Sequence, residues 1–199
     1  MKFKTLLLFC FFTILVTQGF SQDFYTGLRI GYGLAGVQTE GSPQFDLSRR
    51  PSTNIALVFN NRFKNSAFGF SIEPGYHLKG TRVDDSELDY RFNFLSTPVL
   101  LDLYPTDKIK ISVGPEFSYL MSPKNRFNDT TKVDLTGTYT RKWEVAGTVG
   151  VSFALDYFVN FGLRYTKGFT DMVALDPALD TRNLRNESFQ FFFLFKIAN

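Results

Sequence analysis

From residue 24 to residue 197 the chain places apolar side chains on alternate positions, and this period of two limits its fold more than any other feature. Alternation lines one face of a strand, whereas an amphipathic helix repeats about every 3.6 residues. In 24–35, Phe24, Leu28, Ile30, Tyr32 and Leu34 share one face, and Gly27, Arg29, Gly31, Gly33 and Ala35 share the other. The split recurs in 53–60, 67–79, 88–103, 108–121, 139–155, 157–169 and 188–198. The last of these sets Phe189, Phe191, Phe193, Phe195 and Ile197 against Gln190 and Lys196. Eight strands follow, joined by long connections at 36–52, 80–87, 122–138 and 170–187 and short ones at 61–66, 104–107 and 156. Long loops at one end and tight turns at the other predict an all-β fold, an eight-stranded antiparallel up-and-down transmembrane β-barrel.

Volume decides which face is outside. The interior of an eight-stranded barrel is just wide enough for side chains to fill. It has no room for face after face of Phe, Leu, Ile and Tyr, but it suits the opposite faces, rich in Gly, Ala, Ser and Thr. An apolar outer wall in water would be a very large exposed patch, and lipid removes that contradiction. A β-sandwich would leave the Gly/Ser face as an unexplained solvent face.

The first residues fit export. MKFKTLLLFCFFTILVTQGFSQ has a basic start at Lys2 and Lys4, an apolar run from Thr5 to Val16, and small residues Gly19 and Ser21 at cleavage spacing. It reads as a signal peptide over 1–21, with the barrel domain at 22–199. The apolar run is too short for a transmembrane helix. The only cysteine, Cys10, lies within it, so the mature chain uses neither disulfide nor thiolate. Losing two lysines lowers the net charge from +3 to +1, which predicts no nucleic-acid partner.

Aromatic placement adds an independent signal. With the chain starting at the periplasmic side, Tyr32, Tyr76, Tyr90, Tyr119, Tyr139, Trp143 and Tyr165 fall near the outer rim, and Tyr25, Tyr104 and Tyr157 near the inner one. Phe and aliphatic residues occupy the middle, as in an aromatic girdle. The inward face carries charges of both signs. Arg29, Lys79, Arg91, Lys110, Lys142, Arg164 and Lys196 stand against Glu73, Asp89, Asp102, Glu116 and Glu144. In a narrow lumen these must pair or stay hydrated, which predicts a structural plug of salt bridges rather than an open pore.

Catalytic chemistry finds little footing. His77 is the only histidine, and no acidic cluster has metal-ligand spacing. A Ser/His/acid hydrolase would need a serine and a carboxylate beside His77. Glu73 and Ser71 share its strand and face but stand about 13 and 20 Å away at ~3.3 Å per residue, leaving only partners from neighbouring strands. No catalytic residue, cofactor or metal is assigned. Arg49, Arg50, Lys124, Arg126, Lys132, Arg182 and Arg185 put basic residues on the outer loops, where phosphorylated lipopolysaccharide lies.

The segments IEPGYHLKG (72–80), STPVLL (96–101) and VGPEFSYLM (113–121) resemble recurring strand motifs of the outer-membrane β-barrel family common in Bacteroidetes, which includes the PorT-type proteins. The resemblance covers essentially the whole mature chain and implies residence in the outer membrane. The expected protein is a monomeric, non-enzymatic outer-membrane barrel in contact with lipid and lipopolysaccharide. It meets any protein partner through its extracellular loops. A small-solute channel and a lipid-modifying hydrolase are the alternatives.

Two prolines need explaining within strands. In 88–103 the apolar residues sit at even positions up to Phe94 and at odd ones from Val99, so a β-bulge is expected between 95 and 98, where Pro98 is tolerated. Folding the hairpin about 106–107 brings Pro115 nearly opposite Pro98, so both missing N–H groups are expected in one gap of the ladder.

Overall fold

The computed structural model describes residues 23–39, 47–83, 89–127, 131–134, 141–171 and 184–198. The expected signal peptide lies outside them. The strands are β1 (Asp23–Thr39), β2 (Leu47–Arg62), β3 (Phe68–Ile72), β4 (Gly75–Val83), β5 (Asp89–Thr106), β6 (Ile109–Phe127), β7 (Thr131–Asp134), β8 (Trp143–Ala154), β9 (Val159–Gly168) and β10 (Leu184–Ala198). All pairings are antiparallel between neighbours, and β1 pairs with both β2 and β10, so the sheet closes on itself. β3 and β4 are one stave interrupted at Glu73–Pro74, both pairing β2 on one side and β5 on the other. β7 is a short flap paired with the far end of β6, beyond the end of β8. The ring therefore has eight staves, as the alternation predicts.

Its register is staggered. Passing from Asp23 through Arg62, Gly69, Asp102, Ser112, Gly150, Arg164 and Gln190 returns to β1 at Gly33, ten residues along. A stagger of this kind tilts the staves by roughly 35–45° to the axis. Short turns at 63–67, 107–108 and 155–158 share one end with Asp23 and Ala198. Asn65 takes the left-handed conformation (φ 54°) that lets the first of these turns close. At the other end the staves run further than alternation shows, with β1 reaching Thr39, β2 starting at Leu47, β6 reaching Phe127 and β10 starting at Leu184.

The apolar face lies outside. Ile30, Ile55, Leu101, Val113, Phe191 and Phe193 are all about half exposed, while Arg29, Asn54, Asp102, Ser112 and Gln190, one position away, are buried. An apolar wall around a polar interior is the pattern of a barrel set in lipid, since lipid offers charged groups nothing outside.

The expected bulge in the fourth stave is absent. β5 keeps one register with β4 from Arg82↔Asp89 to Gly75↔Ser96, and continues it with β3 at Ile72↔Val99. Its even positions face inward throughout, so Tyr90, Phe92, Phe94 and Leu100 are buried in the lumen. The extra residue lies in β6, where Asn93 pairs Ser122 and Phe94 pairs Leu120, leaving Met121 as the bulge. The apolar phase changes because the upper lumen holds aromatic side chains, not because the strand shifts.

The prolines do share a gap. Pro98 pairs Glu116, and the ladder skips Val99–Leu100 against Gly114–Pro115 before resuming at Leu101↔Val113. The gap continues into the next stave at the Glu73–Pro74 break, where Glu73 N–H donates to the Pro98 carbonyl (3.0 Å) and Leu57 N–H to that of Pro74 (2.9 Å). Three prolines on three adjacent staves thus form one diagonal seam. Gly114 lets the backbones close there, since a Cβ on it would stand 2.1 Å from the Val99 carbonyl oxygen.

Candidate functional site

Among the described residues, the lumen gathers buried charges of both signs. Alternation aims every second residue inward, and staves from opposite sides of the ring are close enough for long side chains to meet. Three tiers result, stacked along the axis.

At the turn end, Asp102 on β5 accepts hydrogen bonds from Asn60 (2.7 Å), Ser71 (2.6 Å) and Ser112 (2.5 Å), with Lys110 at 3.7 Å. Lys110 also donates to the Tyr25 hydroxyl (3.4 Å), and the Tyr104 hydroxyl donates to Asn60 (3.0 Å). In the middle tier Glu73 receives Arg164 on both carboxylate oxygens (2.6 and 3.0 Å) and faces Arg29 Nε at 2.9 Å. Arg164 on β9 lies four staves from Glu73 in either direction, so this bidentate pair spans the full width of the lumen. In the upper tier the relation reverses. Lys79 on β4 bridges Glu116 on β6 (3.0 Å) and Glu144 on β8 (2.7 Å), and Glu144 also accepts from Asn186.

The tiers pair one cation with one anion, two cations with one anion, and one cation with two anions. Within the tiers Lys110, Arg29, Arg164 and Lys79 thus balance Asp102, Glu73, Glu116 and Glu144, all at most 7 % exposed; Arg50, expected on an outer loop, is also buried, above them, and donates to the Tyr90 carbonyl. Balance is required because an unpaired charge in so dry a space costs several kcal/mol. Aromatic rings fill what remains. Both arginines of the middle tier stack on Phe192 (5.6 and 5.3 Å to the ring centre), and Lys79 sits over Phe94 (5.1 Å). Gly162 makes room, since a Cβ there would come within 2.5 Å of the Phe192 ring.

Not every expected site residue lies where alternation puts it. Arg91 shares its parity with the outward-facing Leu95 and Val99, so it stands outside the lumen. The side chain of Asp89 lies outside the described set. Of the expected girdle, Tyr32, Tyr76, Trp143 and Tyr157 are exposed on the wall, with Tyr119 and Tyr165 half-buried there; Tyr119 meets Trp143 edge to face at 4.9 Å. Tyr25, Tyr90 and Tyr104 instead point inward, where the first and last complete the lower tier and Tyr90 packs the upper lumen. Tyr139 lies outside the described residues. The alternation missed Phe192, although FFF at 191–193 was a usable signal: three consecutive residues of a strand cannot all face one way.

His77 finds partners on other staves. Its Nε2 is 3.2 Å from Ser52 Oγ, and its Nδ1 is 3.8 Å from Glu116. The order is that of a hydrolase triad, but Ser52 gives its proton to the Leu78 carbonyl (2.8 Å). Gln190 Nε2 occupies the space between, 2.7 Å from His77 and 3.2 Å from Ser52. Ser52 is thus engaged by the Leu78 carbonyl and Gln190 and is 0 % exposed. Among the described residues no group of His, Cys, Asp or Glu could hold a metal ion.

A closed ring of eight tilted staves, apolar outside and ion-paired inside, defines the class of small membrane-spanning β-barrels. Residues 18–174 match the family described as outer membrane protein beta-barrel domain, and the chain belongs to that family. Among solved structures, the Neisserial surface protein A superposes with a TM-score of 0.59 at 10 % identity, covering 86 % of this chain and 97 % of its own. Ail, the attachment invasion locus protein of Yersinia pestis, solved with the heparin analogue sucrose octasulfate, gives 0.52 at 12 % identity, covering 88 % and 99 %. At these identities the likeness is one of fold. No curated protein sequence matches the chain.

Proposed function

We propose that this outer-membrane barrel is a non-enzymatic, closed scaffold that works at its loop-bearing end through surface contacts rather than by passing solutes. One observation carries the reading: the bidentate Arg164–Glu73 pair joins staves on opposite sides of the ring and crosses the lumen at mid-height. A solute would have to break it together with the Lys79 bridge above. Export by residues 1–21, a monomeric state, contact with lipopolysaccharide and kinship with the PorT-type barrels of Bacteroidetes, read from 72–80, 96–101 and 113–121, belong to the same reading.

Planar-bilayer recording tests it. The purified full chain should give no stepwise current, and replacing 122–138 and 170–187 with short turns should leave insertion intact while abolishing capture of any surface partner. Steady conductance from the unmodified protein would establish the channel alternative.

A further inference from the structure

We propose that the outer wall carries a groove for one acyl chain of a phosphorylated outer-leaflet lipid, along the seam of β6, β8 and β9. Two adjoining depressions, of about 450 and 290 Å³, share Val149 and Tyr165 and form one trough. Its cause is two neighbouring outward positions without bulk, Pro115 and Gly147, in a row that Lys167 ends. Pro115 on β6 pairs Gly147 on β8, which pairs Lys167 on β9. The row of Ile30, Phe193 and Phe161, by contrast, is filled side by side.

The trough has a lip. Beyond the end of β9, Phe169 N–H donates to the Val145 carbonyl (2.9 Å), which holds the Phe169 ring over Gly147. A Cβ on Gly147 would lie 2.7 Å from that ring, so the glycine is what lets the lip fold down. From Leu163 to Phe169 the trough runs about 20 Å at ~3.3 Å per residue. After tilt that is about 15 Å of depth, or half of a ~30 Å hydrocarbon core, the length of one leaflet. The walls are apolar and open sideways, toward lipid rather than water.

The occupant's headgroup follows from charge. Lys167 closes the upper end and is exposed. Glu187, opposite it on β10, is engaged by Arg49 (2.8 Å), Gln38 (2.8 Å) and the Tyr165 hydroxyl (3.4 Å), and Arg49 is itself 59 % exposed. With Glu187 so engaged, Lys167 is left as an exposed cation at the mouth of an apolar trough, which complements a phosphate carried on acyl chains. The leaflet assignment rests on the long connections facing outward; the groove itself does not depend on a closed lumen.

The test is native mass spectrometry of the full chain in detergent, titrated separately with diphosphorylated lipid A and with phosphatidylcholine. One lipid A per barrel should remain bound. Lys167→Gln should lower the preference for lipid A over phosphatidylcholine about fivefold, the weight of one basic side chain at an anionic lipid surface. Gly147→Leu displaces the lip, fills the trough and should remove the adduct. Heat-modifiable gel migration verifies that each variant folds, and if Gly147→Leu does not, Val149→Phe fills the same trough from the next row. Equal retention of both lipids, or an adduct that survives occlusion of the trough in a folded variant, would overturn the proposal.

Discussion

Replacing Glu73 by alanine should be the most damaging conservative cut in this barrel. The carboxylate stands in a strand break, makes three close contacts to two arginines, and is 2 % exposed. Without it, Arg29 and Arg164 share the Phe192 ring with no anion in their tier, and the three tiers hold four cations against three anions. Removing one partner of a buried ion pair costs about 3–5 kcal/mol, chiefly because the remaining charge stays buried. Here two charges are orphaned, which puts Glu73→Ala at the upper end of that range. Glu73→Ala combined with Arg164→Met restores the count to three and three and should recover about half of the loss. Urea unfolding of the reconstituted protein, followed by gel mobility and by Trp143 fluorescence, measures both. A loss below about 1 kcal/mol for the single variant, or strictly additive losses in the pair, would refute the ion-paired plug.

Further outcomes follow from other parts of the wall and lumen. Ile30→Arg places a charge on the outer wall beside Ile55 and Phe193 and should cost about 2–4 kcal/mol in bilayer-based unfolding; a neutral effect would mean that this face does not meet lipid. Gly162→Val should destabilise by pushing the Phe192 ring from beneath the two arginines, measurable as a lowered urea midpoint. Gly80→Ala should weaken the upper lumen, because Gly80 has φ 147° and leaves the slot through which Arg50 donates to the Tyr90 carbonyl (3.1 Å). Amide exchange should be faster at Val99 than at Leu103 or Ile111, because the proline seam leaves Val99 out of the β5–β6 ladder.

Alternation made the strand number, the closed ring and the outward apolar face legible, because it follows directly from the pleat and needs no tertiary information. The eight central charges were legible for the same reason: each sits on the small-residue face of its segment. What alternation could not supply was phase where the inner face is itself aromatic. Phe92 and Phe94 resemble wall residues in isolation, and only the register with β4 and β6 shows that they line the lumen. Tyr25 and Tyr104 misled for a related reason. At a strand end a tyrosine suits either a girdle or a lumen, and its partners, Lys110 and Asn60, lie on other staves. Pairings such as Ser52 with His77, or Arg164 with Glu73, depend on the stagger of the whole ring, which no local pattern encodes.

Trp143, the only tryptophan, offers the most direct test of the central claim that the apolar face is a lipid wall around an ion-paired core. It is 65 % exposed near the outer rim and packs against Tyr119. In vesicles of phosphatidylcholine brominated at defined acyl depths, its fluorescence should be quenched most by bromines near the headgroup and least by those near the bilayer centre, with little quenching by aqueous acrylamide. Strong acrylamide quenching with no response to any brominated lipid would contradict the account, because it would put this wall in water.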